Sequence, residues 1–373
     1  MNFGLTEEQQ LLKNSAREFF TAECPPPEIR RLMETETAHD EALWKKMADQ
    51  GWTGLPFPEE YGGMGLGLVD LAAACEEMGQ ALVPGAFLAT VPLAGTAIFA
   101  GAQDGAKKKY LAPICSGQAR ATLALLEKEA SWNSRDVALP LTKGTLNGQK
   151  LFVMDAGVAS FFVCAARQGG ELALAVVDRR AAGVSLEAQP ALDATRKLYA
   201  VTFHNTPAEV IATGGAALTA LDRALDFATV ALTAEMTGGM QRMLDLTVAY
   251  AKTRKQFGKP IGQFQAVQHM CADMLILLEG ARSSTYYAAW ALQENAPDAR
   301  TAVSVAKAYA SEAYREAGNR AIQVHGGMGF TWENDVHLYY RRAKASEIAF
   351  GDAAYHRERM AAALMGAASR AAK

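Results

Sequence analysis

No run of apolar residues in this chain approaches the about 20 needed to cross a bilayer as a helix. The N-terminal segment is polar and acidic, without the basic start and apolar core of a secretory signal. The five cysteines, Cys24, Cys75, Cys115, Cys164 and Cys271, are scattered and form no C-x-x-C pair. That spacing argues against a disulfide frame or a zinc site, and for a reducing compartment. The six histidines, His39, His204, His269, His325, His337 and His356, lack close metal-ligand spacing, so no metal site is expected. G-x-x-x-x-G-K-[ST], G-x-S-x-G and H-E-x-x-H are all missing. A net charge of −3 supplies no general field for nucleic acid, and Lys107–Lys109 is the only run of three basic residues. These absences together predict a cytoplasmic protein with neither a membrane nor a nucleic-acid partner.

What remains is a chain of 373 residues, half of them apolar, long enough for two or three domains. The apolar period places them. Residues 1–120 read as a helical domain. Thr6 followed by Glu8-Gln9 opens a helix, Leu11, Leu12, Phe19 and Phe20 form its stripe, and Pro25–Pro27 break it. Leu43, Trp44 and Met47 mark a second helix that stops near Gly51. Residues 121–215 change to a period of two and read as a small antiparallel β domain. Asn147-Gly148 and Gln168-Gly169-Gly170 are its expected hairpin turns, and Tyr199, Val201 and Phe203 alternate along one strand. Residues 216–373 return to the helical period, with Pro297-Asp298 between two helices and a last helix starting near Gly351-Asp352.

Three segments carry possible chemistry. Gly62–Gly67 is glycine-rich, but Pro56 and Pro58 precede it where a dinucleotide fingerprint needs a strand. Arg254-Lys-Gln256-Phe257-Gly258 follows a helical pattern. It reads equally as a helix end with cations in the last turn, or as a forked donor and an aromatic ring offered to a pyrophosphate-bearing cofactor. In Gln323-Val-His-Gly326-Gly327, Gly326 could cap a helix, or two glycines could let backbone amides approach a phosphate.

The two latter motifs, in this order, resemble the flavin-cradling signatures of the acyl-CoA dehydrogenase family. The Glu59-Glu60-Tyr61-Gly62-Gly63 loop and Leu146-Asn147-Gly148-Gln149-Lys150 add to the likeness, which covers nearly the whole chain. The resemblance implies an α+β multidomain fold: an N-terminal helical domain, a middle antiparallel β domain and a C-terminal four-helix bundle. It implies FAD, held at a subunit interface with Arg254, Gln256, Phe257, Gln323, Gly326 and Gly327 serving the neighbouring subunit's cofactor. It also implies α,β-dehydrogenation of an acyl-CoA thioester. There a carboxylate removes the α-proton, and the electrons pass on to an electron-transferring flavoprotein.

This chain departs from that pattern where the chemistry would occur. The family's catalytic glutamate has its place at Phe350, and the alternative position in an earlier helix is held by Ala228. Asp352 is a nearby carboxylate, better suited to capping the last helix. Glu347 and Glu235 are weaker candidates. Leu126-Glu127-Lys128-Glu129-Ala130-Ser131-Trp132 and Phe152-Val153-Met154 stand where the family carries hydroxyls toward the flavin. The expectation is therefore a non-catalytic subunit of a heterotetramer. Its homologous partner would supply the base, and the substrate would be a bulky acyl-CoA, such as a steroid side-chain thioester. The alternatives are a self-sufficient homotetrameric enzyme with Asp352 as base, and a flavin-free scaffold.

Overall fold

The computed structural model describes residues 4–371, with side chains to residue 365. By internal contacts the chain divides into two compact units. One contains residues up to Ile29, Leu68–Val83 and everything from Thr229 on; the other contains Arg30–Gly67 and Pro84–Ala228. Along the sequence, helices come first, strands lie in the middle, and helices follow.

In the first unit, helix α1 (Glu7–Glu23) starts after Thr6, as the sequence predicts, and the structure adds a reciprocal capping box between Thr6 and Gln9. It ends before Pro25, and Pro26 starts α2 (Pro26–Met33), where a missing N–H costs nothing. Helix α4 (Leu68–Gln80) packs unusually close to the long helix α7 (Gly214–Thr253). A Cβ on Gly79 would sit 2.0 Å from the Glu235 carbonyl oxygen, and one on Gly238 only 1.7 Å from that of Glu76. Only glycine permits this approach. Glu76, itself buried, accepts from Lys13, Tyr286 and Arg282, so the charge enclosed between these helices is paired. The remaining helices are α8 (Gln265–Gln293), α9 (Ala299–His325), α10 (Val336–Ile348) and α11 (Ala353–Ala371). The break at Pro297-Asp298 falls where expected. Helix α10 is an addition to the sequence reading; its apolar residues are interspersed with arginines, and its stripe is weak.

The second unit holds α3 (Glu41–Asp49), a π-helical stretch Ala89–Gly95, α5 (Thr96–Gly101), α6 (Asp104–Cys115) and eight strands. Strands β1 (Ala121–Ala124), β4 (Phe161–Gln168), β5 (Glu171–Asp178) and β8 (Glu209–Thr213) form one sheet in the order β1-β4-β5-β8. Strands β2 (Leu141–Thr142), β3 (Thr145–Met154), β6 (Val184–Gln189) and β7 (Leu198–Pro207) form the other in the order β2-β3-β7-β6. Leu146, Val153, Phe162, Tyr199, Val201 and Phe203 belong to their shared core.

Three details differ from the sequence reading. The pair β1–β4 is parallel. It is reached by the long excursion through β2 and β3, the kind of crossover a parallel pair requires. The Asn147-Gly148 turn does not form, because both residues lie inside β3. The turn is at Lys143-Gly144, both at positive φ, while Gly148 at φ 135° sits at a register shift and Asn147 accepts the Asn205 N–H. A glycine within a strand thus marks a bulge. The Gly169-Gly170 turn joins β4 to β5 as expected. Finally, strand structure is not confined to the middle of the chain. Lys255–Gln256 (β9) and Lys259–Pro260 (β10) form a two-residue hairpin after α7.

Candidate cofactor and active site

The hairpin after α7 decides how the first motif is displayed. Instead of simply ending the helix, the chain turns at Phe257-Gly258, with φ of 52° and 79°. Two consecutive positive φ values match the twist of a tight two-residue hairpin. The turn lifts Phe257 out to 91% exposure, with Phe264 edge-on to it at a centroid distance of 6.1 Å. Arg254 is exposed, its backbone tied to Tyr250 and Ile261. Gln256 is exposed too, and its side-chain amide donates to the neighbouring Lys255 carbonyl.

The second motif closes α9. The Gly326 N–H bonds back to the Gln323 and Ile322 carbonyls at φ 60°, ψ −140°, a conformation open to glycine. Gln323, Gly326 and Gly327 are all exposed. A Cβ added at either glycine would meet nothing within 4 Å. Positive φ explains Gly326, but nothing in this chain's own packing calls for a glycine at 327. The fold brings the two motifs together. Tyr250, one turn before Arg254, stacks on His325 with ring centroids 4.4 Å apart and planes 23° from parallel. The His325 Nδ1 lies 2.8 Å from the Ala321 carbonyl, which fixes the ring. The result is an exposed edge with a forked cation, an amide, a bare aromatic ring and an accessible glycine pair. The cation, the amide and the glycine N–H groups are fitting donors for a pyrophosphate, and the ring offers a face to an aromatic base.

The turn between α10 and α11 is built differently. Phe350 is 3% exposed and holds φ 58°, an uncommon conformation for an aromatic residue. Two buried side chains brace it. Lys307 of α9 donates to Ser311 Oγ at 2.9 Å, the Glu347 carbonyl at 3.0 Å and the Gly351 carbonyl at 2.8 Å. Burial lowers its pKa to about 7, against the pull of Asp352 and Glu347. The ring of His356 reaches the Phe350 carbonyl through Nε2 at 3.0 Å. Burial, then Lys307, push its pKa down to about 3. The turn is therefore rigidly specified, and the residue it presents is a phenyl ring. A sequence reading of this turn missed Lys307 and His356. A lone lysine among the small apolar residues of α9 is the signal that could have found the first.

The candidate carboxylates have other work. Asp352 is exposed and accepts the Tyr355 N–H at 2.8 Å, the expected helix cap. Glu235 is buried 3.8 Å from Arg342. Glu347 pairs with Arg315 and Lys344. Ala228 is fully buried.

In the strand-bearing unit, Leu126–Trp132 belongs to a loop that satisfies itself. Glu127 accepts the Ala138 and Leu139 N–H groups and pairs with Lys150 at 2.6 Å. Burial raises the Glu127 pKa, but Lys150 and those two amides outweigh it and hold the carboxyl below its usual range. Burial also pulls the fully enclosed Lys150 downward, yet its contacts to Glu127 and the Leu125 carbonyl are those of an ammonium. Phe152 has positive φ, and its N–H is taken by Gln189 Oε1 at 2.7 Å. The glycines near Gly62 are likewise committed internally: Gly63 and Gly65 donate to Pro58 and Phe57.

The chain is similar to known proteins along nearly its whole length. The family model described as acyl-CoA dehydrogenase, N-terminal domain, matches residues 6–118, and that described as acyl-CoA dehydrogenase, C-terminal domain, matches residues 217–365. The chain is 32% identical over 344 residues to acyl-CoA dehydrogenase IpdE2 of Mycolicibacterium smegmatis, covering 92% of this chain and 94% of that one. Among solved structures it is similar to a variant of the Tcur3481–Tcur3483 steroid ACAD, with TM-score 0.88, 31% identity and coverage of 97% and 99%. It is also similar to the ChsE4–ChsE5 complex from Mycobacterium tuberculosis, with TM-score 0.89, 28% identity and coverage of 98% and 99%. Fold, motifs and full-length likeness together place this chain in the acyl-CoA dehydrogenase family of FAD-dependent oxidoreductases.

Proposed function

We propose that this chain is the non-catalytic subunit of a heterotetrameric acyl-CoA dehydrogenase, acting by completing the FAD site of a homologous neighbour. The observation that carries this reading is the contrast between Phe350 and the Arg254–Gly327 edge. A buried phenyl ring holds the place expected of the base, on a turn that Lys307 and His356 brace. The edge, by contrast, keeps every donor expected of it and leaves them exposed. FAD bound there would supply the hydride acceptor. The residues of this chain would hold it, Arg254 and the Gly326-Gly327 amides on the phosphates, Phe257 against a ring, and Gln256 and Gln323 alongside. Removal of the α-proton would fall to a carboxylate on the partner. Asp352 is committed to its cap, which counts against it as that base.

The similar proteins favour a bulky substrate and a heteromer, since one is named a steroid ACAD and another a two-protein complex. An electron-transferring flavoprotein is the proposed electron acceptor. The test is co-expression with a homologous subunit that carries the glutamate, followed by an activity screen over acyl-CoA thioesters. The complex should oxidise a bulky thioester while this chain alone does not. Robust oxidation by the isolated chain, abolished by Asp352→Asn, would overturn the proposal.

A further inference from the structure

The strand-bearing unit contains a cavity of about 490 Å³ that the dehydrogenase reading leaves unused. His39, Glu41, Arg120, Ser160, Arg179 and Arg180 line it, with Asp178 and the Gly157–Ala159 backbone completing the wall. Its size suits a small molecule, but such sites are mostly apolar, and this wall is mostly polar and charged. A compact polar ligand fits it better than a hydrophobic one.

The charges on the wall do not cancel. Glu41 is matched by Arg120, whose Nη1 lies 3.0 Å from its carboxylate. Arg120 is fixed further by the Val158 carbonyl at 3.0 Å and by the face of Trp44, 5.8 Å from its centroid. Asp178 accepts the backbone N–H of Arg180 at 2.7 Å and is the second carboxylate on the wall, against the three arginines Arg120, Arg179 and Arg180. His39 adds no fixed charge. Its Nε2 contacts Glu41 at 3.3 Å, and burial, then Arg120, lower its pKa below the ordinary value. The wall is therefore net cationic. Moreover, Arg179 Nε is buried and has no hydrogen-bond partner among the described residues. Such an unmatched donor forfeits hydration, so the fold leaves this guanidinium only partly satisfied beside a polar cavity whose wall it lines.

We propose that this cavity binds a phosphate group, with Arg179 and Arg180 as its donors and Arg120 as the fixed charge behind them. Two neighbouring guanidinium forks match the several oxygens and the dianionic charge of phosphate better than they match a single carboxylate. The inference is independent of the dehydrogenase reading, because none of these residues enters it. Free phosphate and a phosphate monoester share this chemistry.

Isothermal titration of the full chain at constant ionic strength tests the assignment, with inorganic phosphate and phenyl phosphate as probes and chloride as control. Saturable binding at one site per chain is expected for phosphate. Arg179→Gln and Arg180→Gln should each weaken it by about tenfold. Lys128→Gln, outside this cavity, should leave it unchanged. Tighter binding of phenyl phosphate assigns a monoester, and tighter binding of inorganic phosphate assigns the free ion. Arg180 is exposed, so its variant should fold even if the Arg179 variant does not. Equal heats from chloride, or undiminished phosphate binding by folded Arg180→Gln, would overturn the site.

Discussion

Two regions that the family resemblance assigns to flavin contact have opposite physical characters in this chain. The edge formed by the ends of α7 and α9 is unfinished. Phe257 is almost wholly exposed, Arg254 and Gln323 lie at the surface, and Gly327 has space its own chain does not fill. The loop after β1 and the end of β3 are finished. Glu127 is consumed by Lys150 and two backbone amides, and the Phe152 N–H is consumed by Gln189. Exposed donors are hydrated by water and add little to the chain's own stability, which leaves them available to a ligand. Donors satisfied internally give a ligand little to replace. The difference argues that one region serves an assembly and the other serves only the fold.

The largest effect that can break this comparison is catalytic. Restoring a carboxylate is impossible at a phenyl ring, so the isolated chain should run at least about 10²–10⁴-fold below an intact relative in thioester oxidation. Steady-state oxidation of an acyl-CoA panel with added FAD and an artificial electron acceptor measures it, and a rate within tenfold of that relative would contradict the assignment of Phe350. Next comes the finished loop. Glu127→Ala should strand the enclosed Lys150 and destabilise the strand-bearing unit by roughly 3–5 kcal/mol, read by urea denaturation. A loss below about 1 kcal/mol would show that the ion pair does not organise the loop.

The unfinished edge predicts the converse. Arg254→Ala should leave the melting curve of the chain alone nearly unchanged while weakening FAD retention in the assembled complex by about tenfold or more. Equal retention would remove Arg254 from the site.

The brace behind Phe350 gives a pH prediction. The folded pKa of His356 is lowered to about 3 from 6.5, so between those values the unfolded chain binds the extra proton. Stability must then fall as pH drops from about 6.5 toward 3, by about 2 kcal/mol at pH 5 from this group. Chemical denaturation of His356→Gln should show that part of the slope gone. An unchanged slope would mean that His356 is not held neutral. The smallest expected effect is at Asp352. Asp352→Ala should cost about 0.5–2 kcal/mol through the lost cap and leave turnover of the complex intact, a separation that stability and rate measurements on one sample resolve.

Much of this was readable from residue order. The helix start at Thr6, the proline break after α1, the Gly169-Gly170 turn and the change of period all act locally, and local signals survive in sequence. Asn147-Gly148 misled because its strong turn preference was overridden by pairing of β3 with β7, leaving a bulge instead. The parallel β1–β4 pair was hidden because the partners lie far apart in sequence. The members of both motifs could be named from sequence, but not the Phe257-Gly258 hairpin that exposes the ring, nor the Tyr250–His325 stack that joins the two. The brace at Phe350 was invisible for the same reason. Lys307 and His356 come from different helices and meet only after folding.

The most direct test of the central claim is the ratio of FAD to polypeptide, by absorbance, for this chain alone and for the purified assembly with a glutamate-bearing homologue. The chain alone should be colourless, and the assembly should hold one FAD per pair of unlike subunits, with retention weakened about tenfold or more by Arg254→Ala in this subunit. One FAD for every chain, or a yellow isolated chain that retains FAD after Arg254→Ala, would contradict it.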